Sequence, residues 1–257
     1  MQKITPVIWC NGNASQAAEF YARAFPKTTI GAITLYPDAD LLEFQRGLEG
    51  QPLTIDVNID GYVISLLNAG AEFPVNPSIS FMVRLNPAKM ADPRAELDAI
   101  HGALLAEGGT DLMEKRAYEF SPYYVWVQDH FGVSWQLMVV DEADTRPFVM
   151  PCLLFGERRQ NQAGPAMQYY REVFGDTEPG FTAPYPPEMT ALADNPLVDG
   201  ALMYTDATLG GLWLAAMDSG VKQDYTFSEG VSLMVACQDQ AEIDRLWAAL
   251  SRVPEAE

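Results

Sequence analysis

Histidine is scarce in this sequence: only His101 and His130 occur among 257 residues. Two histidines cannot supply a metal site built from several imidazoles, so that class of site is excluded. His101 falls on a predicted helix face, where a packing role is expected. His130 lies in a predicted turn beside Asp129, and adjacent residues in a tight turn rarely orient one another for catalysis.

Positive charge is also in short supply. Sixteen Lys and Arg residues stand against 35 Asp and Glu residues, which gives a formal net charge of −19. Such a field repels nucleic-acid phosphates and anionic lipid, so neither nucleic acid nor a membrane surface is an expected partner. No stretch approaches the roughly 20 apolar residues of a membrane span, and MQKITPVIWC lacks the apolar core of a signal peptide. A cytoplasmic protein is therefore expected.

Cysteine is rare and scattered. Cys10, Cys152 and Cys237 lie far apart, within apolar runs such as PVIWC and MPCLLF. This usage is typical of reduced core thiols in a cytosolic protein and predicts no disulfide framework. The sequence also offers no phosphate-cradling glycine loop, because Gly108-Gly109 is read as a helix C-cap. No cofactor is expected.

What the sequence does contain is an internal repeat. Each half begins with an apolar strand, a polar turn and an amphipathic helix, written TPVIWCNGNASQAAEFYARAF from residue 5 and MPCLLFGERRQNQAGPAMQYYREVF from residue 150. Two strands joined by a tight glycine turn follow, as IDGYVISLLNAG and LGGLWLAAMDSG. SISFMVRL then matches VSLMVACQ, and LDAIHGALL matches IDRLWAALS. The same fold is therefore predicted in both halves.

The order of elements predicts α+β modules of the type βαβββ. In the first half we expect strands near residues 4–11, 29–36, 53–69 and 79–86, helices near 14–25 and 92–106, and three more strands up to about residue 140. One such module cannot cover both faces of its own sheet. Two must pack side by side, and their strands curl into a half-open barrel with a concave face.

Two tandem domains follow from this order. Residues 1–145 are expected to form a complete domain of two modules, and residues 146–257 a second domain, with the polar stretch DEADTRPF at 141–148 as the linker. The second half stops after its second helix, so its last three strands are missing and a sheet edge is left unpaired. Three explanations stay open: completion by a partner chain in a homo-oligomer, a remodelled half-barrel, or a sequence shorter than the native chain.

Four stretches carry a resemblance to a known family: AEFYARAF, AMDSG, EIDRLWAAL and above all WVQDHFGVSWQL. They resemble the PhnB-like branch of the glyoxalase and vicinal oxygen chelate superfamily, a branch often labelled as a 3-demethylubiquinone methyltransferase domain. The pattern D-x-F-G-V-S-W-Q is specific for this branch. The resemblance covers nearly the whole chain as two tandem domains, and it implies paired βαβββ modules that form half-open barrels.

The resemblance also implies where a metal ion would lie. In metal-dependent members of the superfamily, a His in the first strand of a module and a Glu in the last strand hold a divalent ion on the concave face. The corresponding positions here are near Pro6, Ser78, Ser80 and Gln136. None is a good ligand, because zinc and iron sites need imidazole or carboxylate donors. A cup that keeps its shape without a metal ion is therefore predicted.

Gln136 is the leading candidate for contact with a ligand, because its amide can both donate and accept hydrogen bonds. The alternative is a structural amide that satisfies neighbouring backbone groups. Strand alternation puts Ser134 and Met138 on the same face, and Asn68 joins them only if the hairpin register turns it inward. The predicted ligand-binding residues are Gln136, Ser134, Met138, Trp9, Tyr124, Trp126 and Asn68, with core packing as the alternative role of the aromatic ones.

The leading hypothesis is a metal-independent small-molecule-binding protein of this superfamily, with enzymatic activity left open. One alternative is a metal-dependent lyase, isomerase or dioxygenase that recruits an ion through carboxylates such as Glu43 or Glu119. Another is a drug-sequestering protein similar to bleomycin-resistance proteins. Architecture does not choose among them, since this fold hosts both catalysts and binders. In every case the expected partner is a small-molecule ligand.

Overall fold

A computed structural model of the chain describes residues 2–190 and 196–251. Within these ranges the backbone forms two β-sheets, of five and eight strands, against which α-helices pack. The first module follows the predicted order. It contains β1 (Ile4–Asn11), α1 (Ala14–Ala24), β2 (Thr28–Leu35), a short 3-10 helix (Glu43–Gln45), β3 (Pro52–Ile59) and β4 (Tyr62–Ala69).

The remaining modules repeat this order. The second contains β5 (Ile79–Leu85), α2 (Pro93–Ala106), β6 (Thr110–Tyr118), β7 (Ser121–Gln128) and β8 (Ser134–Val139). The third contains β9 (Val149–Phe155), a 3-10 helix (Glu157–Arg159), α3 (Ala163–Phe174), β10 (Pro179–Pro184), α4 (Pro187–Thr190), β11 (Leu202–Leu209) and β12 (Leu212–Asp218). The fourth begins with β13 (Val231–Val235) and α5 (Gln240–Leu250). No helix in the described ranges is long and apolar enough to cross a bilayer.

Local sequence patterns explain these elements. In β1, Ile4, Ile8 and Cys10 are buried. The alternate side chains between Ile4 and Cys10 point to the opposite face and are half-buried, as expected for a strand with one face on the core. Helix α1 is amphipathic and buries a face that includes Phe20 and Tyr21. The predicted α+β fold of repeated βαβββ modules is therefore confirmed.

All three complete modules use the same strand order, with the first strand parallel to the last. β1 pairs in this way with β4, β5 with β8, and β9 with β12. First strands then join modules edge to edge and antiparallel, β5 with β9 and β1 with β13. The larger sheet has the order β10-β11-β12-β9-β5-β8-β7-β6 and the smaller one β13-β1-β4-β3-β2, and neither closes into a barrel.

The partners of the modules differ from expectation. We expected the first and second modules to share a half-barrel, but the second module shares its sheet with the third. The first strands of two modules pair through backbone hydrogen bonds, which any strand can form. The residues that lie opposite each other in β5 and β9, such as Ser80 and Cys152, therefore do not reveal from the sequence which modules pair. The larger sheet extends across residue 145, and the domain limits 1–145 and 146–257 stay predictions.

The first and second modules meet through a buried carboxylate. Asp129 is 3% exposed, and its oxygens accept hydrogen bonds from the Tyr21 hydroxyl and the Trp135 indole N–H, both at 2.9 Å. The backbone N–H groups of Phe131 and Val133 also donate to it. Burial raises the pKa of Asp129, and these four donors oppose the rise. The aspartate of the D-x-F-G-V-S-W-Q motif thus holds a turn, a strand and helix α1 together.

We expect Asp129→Asn to lower the free energy of unfolding by about 1–3 kcal/mol, because an amide nitrogen would face buried donors that need an acceptor. Urea denaturation followed by tryptophan fluorescence measures this change. Asp38→Asn is the matched control at an exposed position, and it should change the free energy by less than about 0.5 kcal/mol. Equal stability of the two variants would contradict the role assigned to Asp129.

Candidate functional site

The two faces of β8 have different partners. Trp135 packs in the main core cluster with residues of α2, whereas Met138 belongs to a second apolar cluster on the opposite face of the sheet. We call this opposite face of the eight-stranded sheet the inner face. The register of β7 and β8 places Trp126 opposite Gln136 and Tyr124 opposite Met138. These four side chains therefore share the inner face.

A neutral hydrogen-bonded cluster lies at the centre of the inner face. Gln136 is 2% exposed; its Oε1 accepts from the Tyr124 hydroxyl and its Nε2 donates to Ser80 Oγ, each at 2.9 Å. The Ser80 hydroxyl donates to the carbonyl oxygen of Cys152 at 3.5 Å. Burial raises the pKa of Tyr124 well above its ordinary value and that of Cys152 to about 12. All four side chains are therefore uncharged at neutral pH.

Sulfur-containing and aromatic side chains surround this cluster. The buried apolar residues of the inner face come from the second and third modules. They are Met82, Tyr124, Trp126, Met138, Val140, Met150, Cys152, Leu154 and Ala215. Half-buried Met113, Tyr118, Tyr204, Trp213, Met217 and Tyr225 pack against them. The amide of Gln136 thus lies beneath side chains of the inner face rather than at an open surface. Because methionine is unbranched and flexible, this cover can rearrange.

Ion pairs border the inner face. Arg84 on β5 pairs with Asp144, to which its Nε donates at 2.7 Å, and Arg146 Nη2 donates to Asp206 on β11 at 3.0 Å. The Tyr204 hydroxyl donates to Asp206 as well, at 2.8 Å. Burial alone would raise the pKa of Asp144, but the Arg146 backbone N–H and the Arg84 charge hold it below its ordinary value. The segment predicted as a linker therefore supplies two of these four charges.

Two buried polar groups of the inner face have no hydrogen-bond partner within the described part of the chain: the Trp126 indole N–H and the Ser134 hydroxyl. Trp126 is 8% exposed and Ser134 fully buried. Leaving such a group unsatisfied costs about 1–3 kcal/mol, and native proteins contain few of them. An indole can only donate, so its complement is an acceptor such as a carbonyl oxygen.

The structure brings five of the seven predicted ligand-binding residues together on the inner face. These are Gln136, Ser134, Met138, Tyr124 and Trp126. Trp9 and Asn68 lie instead on the five-stranded sheet. The Trp9 indole N–H donates to the carbonyl oxygen of Gly70 at 2.7 Å. The predicted grouping of all seven residues around one cup is therefore not observed, because the two sheets belong to different module pairs.

Asn68 has a structural role at helix α1. Its Oδ1 accepts at 3.2 Å from the backbone N–H of Ala14, the first residue of the helix, and its Nδ2 donates to the Pro52 carbonyl at 3.0 Å. In the repeat, Asp218 accepts from Ala163, the first residue of α3, at 3.0 Å. The register of β4 thus turns the Asn68 side chain toward helix α1. The predicted ligand contact required it to face the same cup as Gln136.

The other residues considered from the sequence lie apart from the inner-face cluster. His101 Nε2 is 2.7 Å from Asp111 Oδ1, where α2 meets β6. His130 is in the turn between β7 and β8. Glu43 belongs to the 3-10 helix between β2 and β3, and Glu119 to the turn between β6 and β7, so loops of different sheets carry these two carboxylates.

Sequence reasoning missed the ion pairs beside the inner face. Arg84 and Asp144 are 60 residues apart, as are Arg146 and Asp206, so no local spacing links them. One signal was present. DEADTRPF concentrates charge directly after a buried strand, and SISFMVRL carries a single arginine in an otherwise uncharged strand. Such isolated charges in buried surroundings need partners.

The inner face does not offer the donors that a divalent ion needs. Ser80 and Gln136 occupy positions that the family resemblance assigned to metal ligands, and they are neutral and bonded to each other. The neighbouring Cys152 is held as a thiol by its raised pKa, while metals bind the thiolate. Among the residues that the structure describes, no group of three or more His, Cys, Asp and Glu could hold a metal ion. The donor set therefore does not fit the metal centre that the superfamily implies.

Comparisons with known proteins agree with this architecture. A family model described as 3-demethylubiquinone-9 3-methyltransferase matches residues 2–138 and again residues 147–257. No curated protein matches the chain. Among solved structures, glyoxalase I from Zea mays is 13% identical, covers 98% of this chain and 80% of its own, and has a TM-score of 0.58. At this identity the likeness shows the fold alone.

Shorter structures match about half of the chain. A PhnB protein from Bacillus cereus is 28% identical, covers 54% of this chain and 100% of its own, and has a TM-score of 0.45. A protein from Pseudomonas aeruginosa is 19% identical, covers 55% and 99%, and has a TM-score of 0.42. These proteins have about the length of one of the two matched segments.

Substitutions at Asn68 separate capping from ligand binding. We expect Asn68→Ala to lower the free energy of unfolding by about 1 kcal/mol, because the first N–H of α1 loses its acceptor. Asn68→Asp keeps an acceptor for the Ala14 N–H, as Asp218 does at α3, but loses the Nδ2 donor to the Pro52 carbonyl oxygen, so we expect a stability between those of Asn68→Ala and the wild type. Urea denaturation of the two variants provides the comparison. Wild-type stability in Asn68→Ala would contradict the capping role.

Proposed function

The chain belongs to the 3-demethylubiquinone-9 3-methyltransferase family, and from this membership we propose that it is a small-molecule-binding protein that works without a metal ion. Its family match and its likeness in fold to glyoxalase I put it in the glyoxalase and vicinal oxygen chelate superfamily, as the motifs predicted. In this proposal the ligand lies against the inner face, over the Gln136 cluster. The observation that carries it is the pair of buried, unpartnered polar groups of Trp126 and Ser134 beside that neutral cluster.

The chemistry of the cluster supports metal independence. Gln136 uses its oxygen on Tyr124 and its nitrogen on Ser80, so both ends of the amide are already occupied. A divalent ion would have to displace these hydrogen bonds and would gain only neutral oxygen donors in return, which transition ions bind poorly. The charged groups beside the cluster are committed to one another, Arg84 to Asp144 and Arg146 to Asp206.

The inner face favours a flat, largely apolar ligand that carries a hydrogen-bond acceptor. Aromatic and sulfur-containing walls match an apolar body. The Trp126 indole N–H needs an acceptor on the ligand. The Ser134 hydroxyl can either donate a hydrogen bond to the ligand or accept one from it. Entry requires the methionines over the cluster to change rotamer, which their three flexible torsions permit. A ligand carbonyl that meets Trp126 would remove the penalty of an unsatisfied donor.

We also propose that the protein works in a reducing compartment such as the cytoplasm. Its three cysteines are free thiols, and none is paired. Two of them, Cys10 and Cys152, are buried, and burial raises the pKa of each to about 12, which makes them poor nucleophiles. Free buried thiols of this type are usual in cytosolic proteins.

Calorimetric titration of the purified protein with Zn²⁺, Ni²⁺ and Mn²⁺ tests metal independence. We expect no stoichiometric tight binding, because the inner face carries no imidazole in the described residues and its carboxylates, Asp144 and Asp206, are already paired with arginines. The Gln136→Leu variant is the matched control, since it removes the amide and keeps the bulk. One tightly bound equivalent in the wild type, lost in Gln136→Leu, would contradict the proposal.

A pair of flat probes tests the proposed ligand class. We expect chromone, which carries a carbonyl acceptor, to bind more tightly than naphthalene, which has a similar shape and no acceptor. Trp126→Phe should reduce the advantage of chromone by about five- to tenfold, the effect of one hydrogen bond of about 1–1.5 kcal/mol. Binding can be followed by ligand-observed NMR, with Trp247→Phe, at an exposed position of α5, as the control variant. Equal affinity of both probes for the wild type would contradict an acceptor site at Trp126.

A further inference from the structure

A separate cavity lies at the junction of the first and second modules. Its volume is about 280 Å³, and it is bounded by the end of β1, the start of α1, residues 70–75 and the turn at 130–132. Five rings line it, those of Trp9, Tyr21, Phe73, His130 and Phe131. The Trp9 and Phe73 rings meet edge to face with centroids 4.8 Å apart, and the His130 and Phe131 centroids are 3.9 Å apart.

Carboxylates surround this cavity. The buried Asp129 carboxylate lies one hydrogen bond behind the lining residue Tyr21. Glu107 Oε2 is 3.6 Å from His130 Nε2. The Glu72 carboxylate lies against the backbone of Gly70, which lines the cavity. None of the described residues that line the cavity is a lysine or an arginine. Glu107 also pairs with Arg23 at 3.4 Å, so the negative local charge comes mainly from Asp129 and Glu72, in keeping with the net charge of −19.

Two lining side chains respond to this negative charge. Burial raises the pKa of Cys10 to about 12, and the Asp129 charge adds to the rise. The pKa of Tyr21 is raised well above its ordinary value, by burial and then by the same carboxylate. Burial, the larger cause, disfavours charge of either sign, whereas the Asp129 contribution disfavours an anionic ligand and favours a cationic one.

We propose that this cavity binds a small organic monocation of the alkylammonium class, held against its aromatic walls. Aromatic ring faces attract cations, and the attraction increases when water is excluded. Asp129, Glu107 and Glu72 supply charge of the opposite sign without direct contact. The cavity shares none of its described lining residues with the inner face of the eight-stranded sheet. This proposal and the proposed ligand site on the inner face can therefore be tested independently.

Choline and its neutral carbon isostere, 3,3-dimethylbutan-1-ol, are the probes for this proposal. They have nearly the same shape and differ by one positive charge. We expect choline to bind with a dissociation constant in the millimolar range and the isostere to bind measurably more weakly, by ligand-observed NMR at constant ionic strength. Equal affinities, or no binding of choline to the wild type, would overturn the proposal.

Phe73→Leu locates the bound cation. Removal of one ring should weaken choline binding by about two- to fivefold, the effect of one partly exposed cation–π contact. Phe174→Leu is the matched control, because Phe174 is also half-buried and lies at the end of α3 in the third module, outside the cavity lining. Trp126→Phe should leave choline binding unchanged. Equal choline affinity in Phe73→Leu and the wild type would overturn the assignment of this cavity.

Discussion

The buried Asp129 carboxylate is the interaction on which the arrangement of the modules depends. Among the described strands, none of the first module pairs with one of the second, so backbone hydrogen bonds do not join these two units. Asp129 joins them through Tyr21, 108 residues away in the chain, while it also fixes Trp135 at the start of β8. The Phe25 and Trp135 rings, with centroids 4.5 Å apart, extend the same junction. This anchor fixes the turn that leads into β8, while the ladders with β5 and β7 set the position of Gln136 within the strand.

Charge is arranged around the inner face in a consistent way. The centre carries only neutral groups, whose hydrogen bonds satisfy one another, and the ionised residues are confined to paired positions at its border. This arrangement avoids the high cost of an isolated buried charge. It also leaves the Trp126 N–H as a donor without an acceptor among residues 2–190 and 196–251, in surroundings where such a group is costly. A surface of this kind discriminates by shape and by one or two hydrogen bonds, not by charge.

Much of the fold could be predicted from the sequence because its signals are local. The alternation in TPVIWC and the amphipathic helix AEFYARAF predict β1 and α1 to within a residue or two, and the repeat transfers these elements to the second half. The choice of module partners could not be predicted, since β5 and β9 pair through backbone groups that every strand possesses. The orientation of Asn68 depended on a register that one residue would reverse, and the pairs of Arg84 and Arg146 join segments that are distant in sequence. At the inner face, alternation along β8 grouped Gln136, Ser134 and Met138, and the register of β7 with β8 brings Tyr124 and Trp126 to the same face.

The exchange of sheet partners between modules affects how the chain can fold during its synthesis. The edge of β5 meets β9 soon after β8 and the linker have been translated, although the large sheet is complete only when β10, β11 and β12 have followed. The edge of β1 stays unpaired until β13 (Val231–Val235) has been translated, long after β1 itself (Ile4–Asn11). Unpaired strand edges on nascent polypeptides invite pairing with other molecules. The first four strands of the five-stranded sheet, β1 to β4, are thus the part of the molecule whose edge stays unpaired longest and depends most on protection by chaperones, although they are the first to be made.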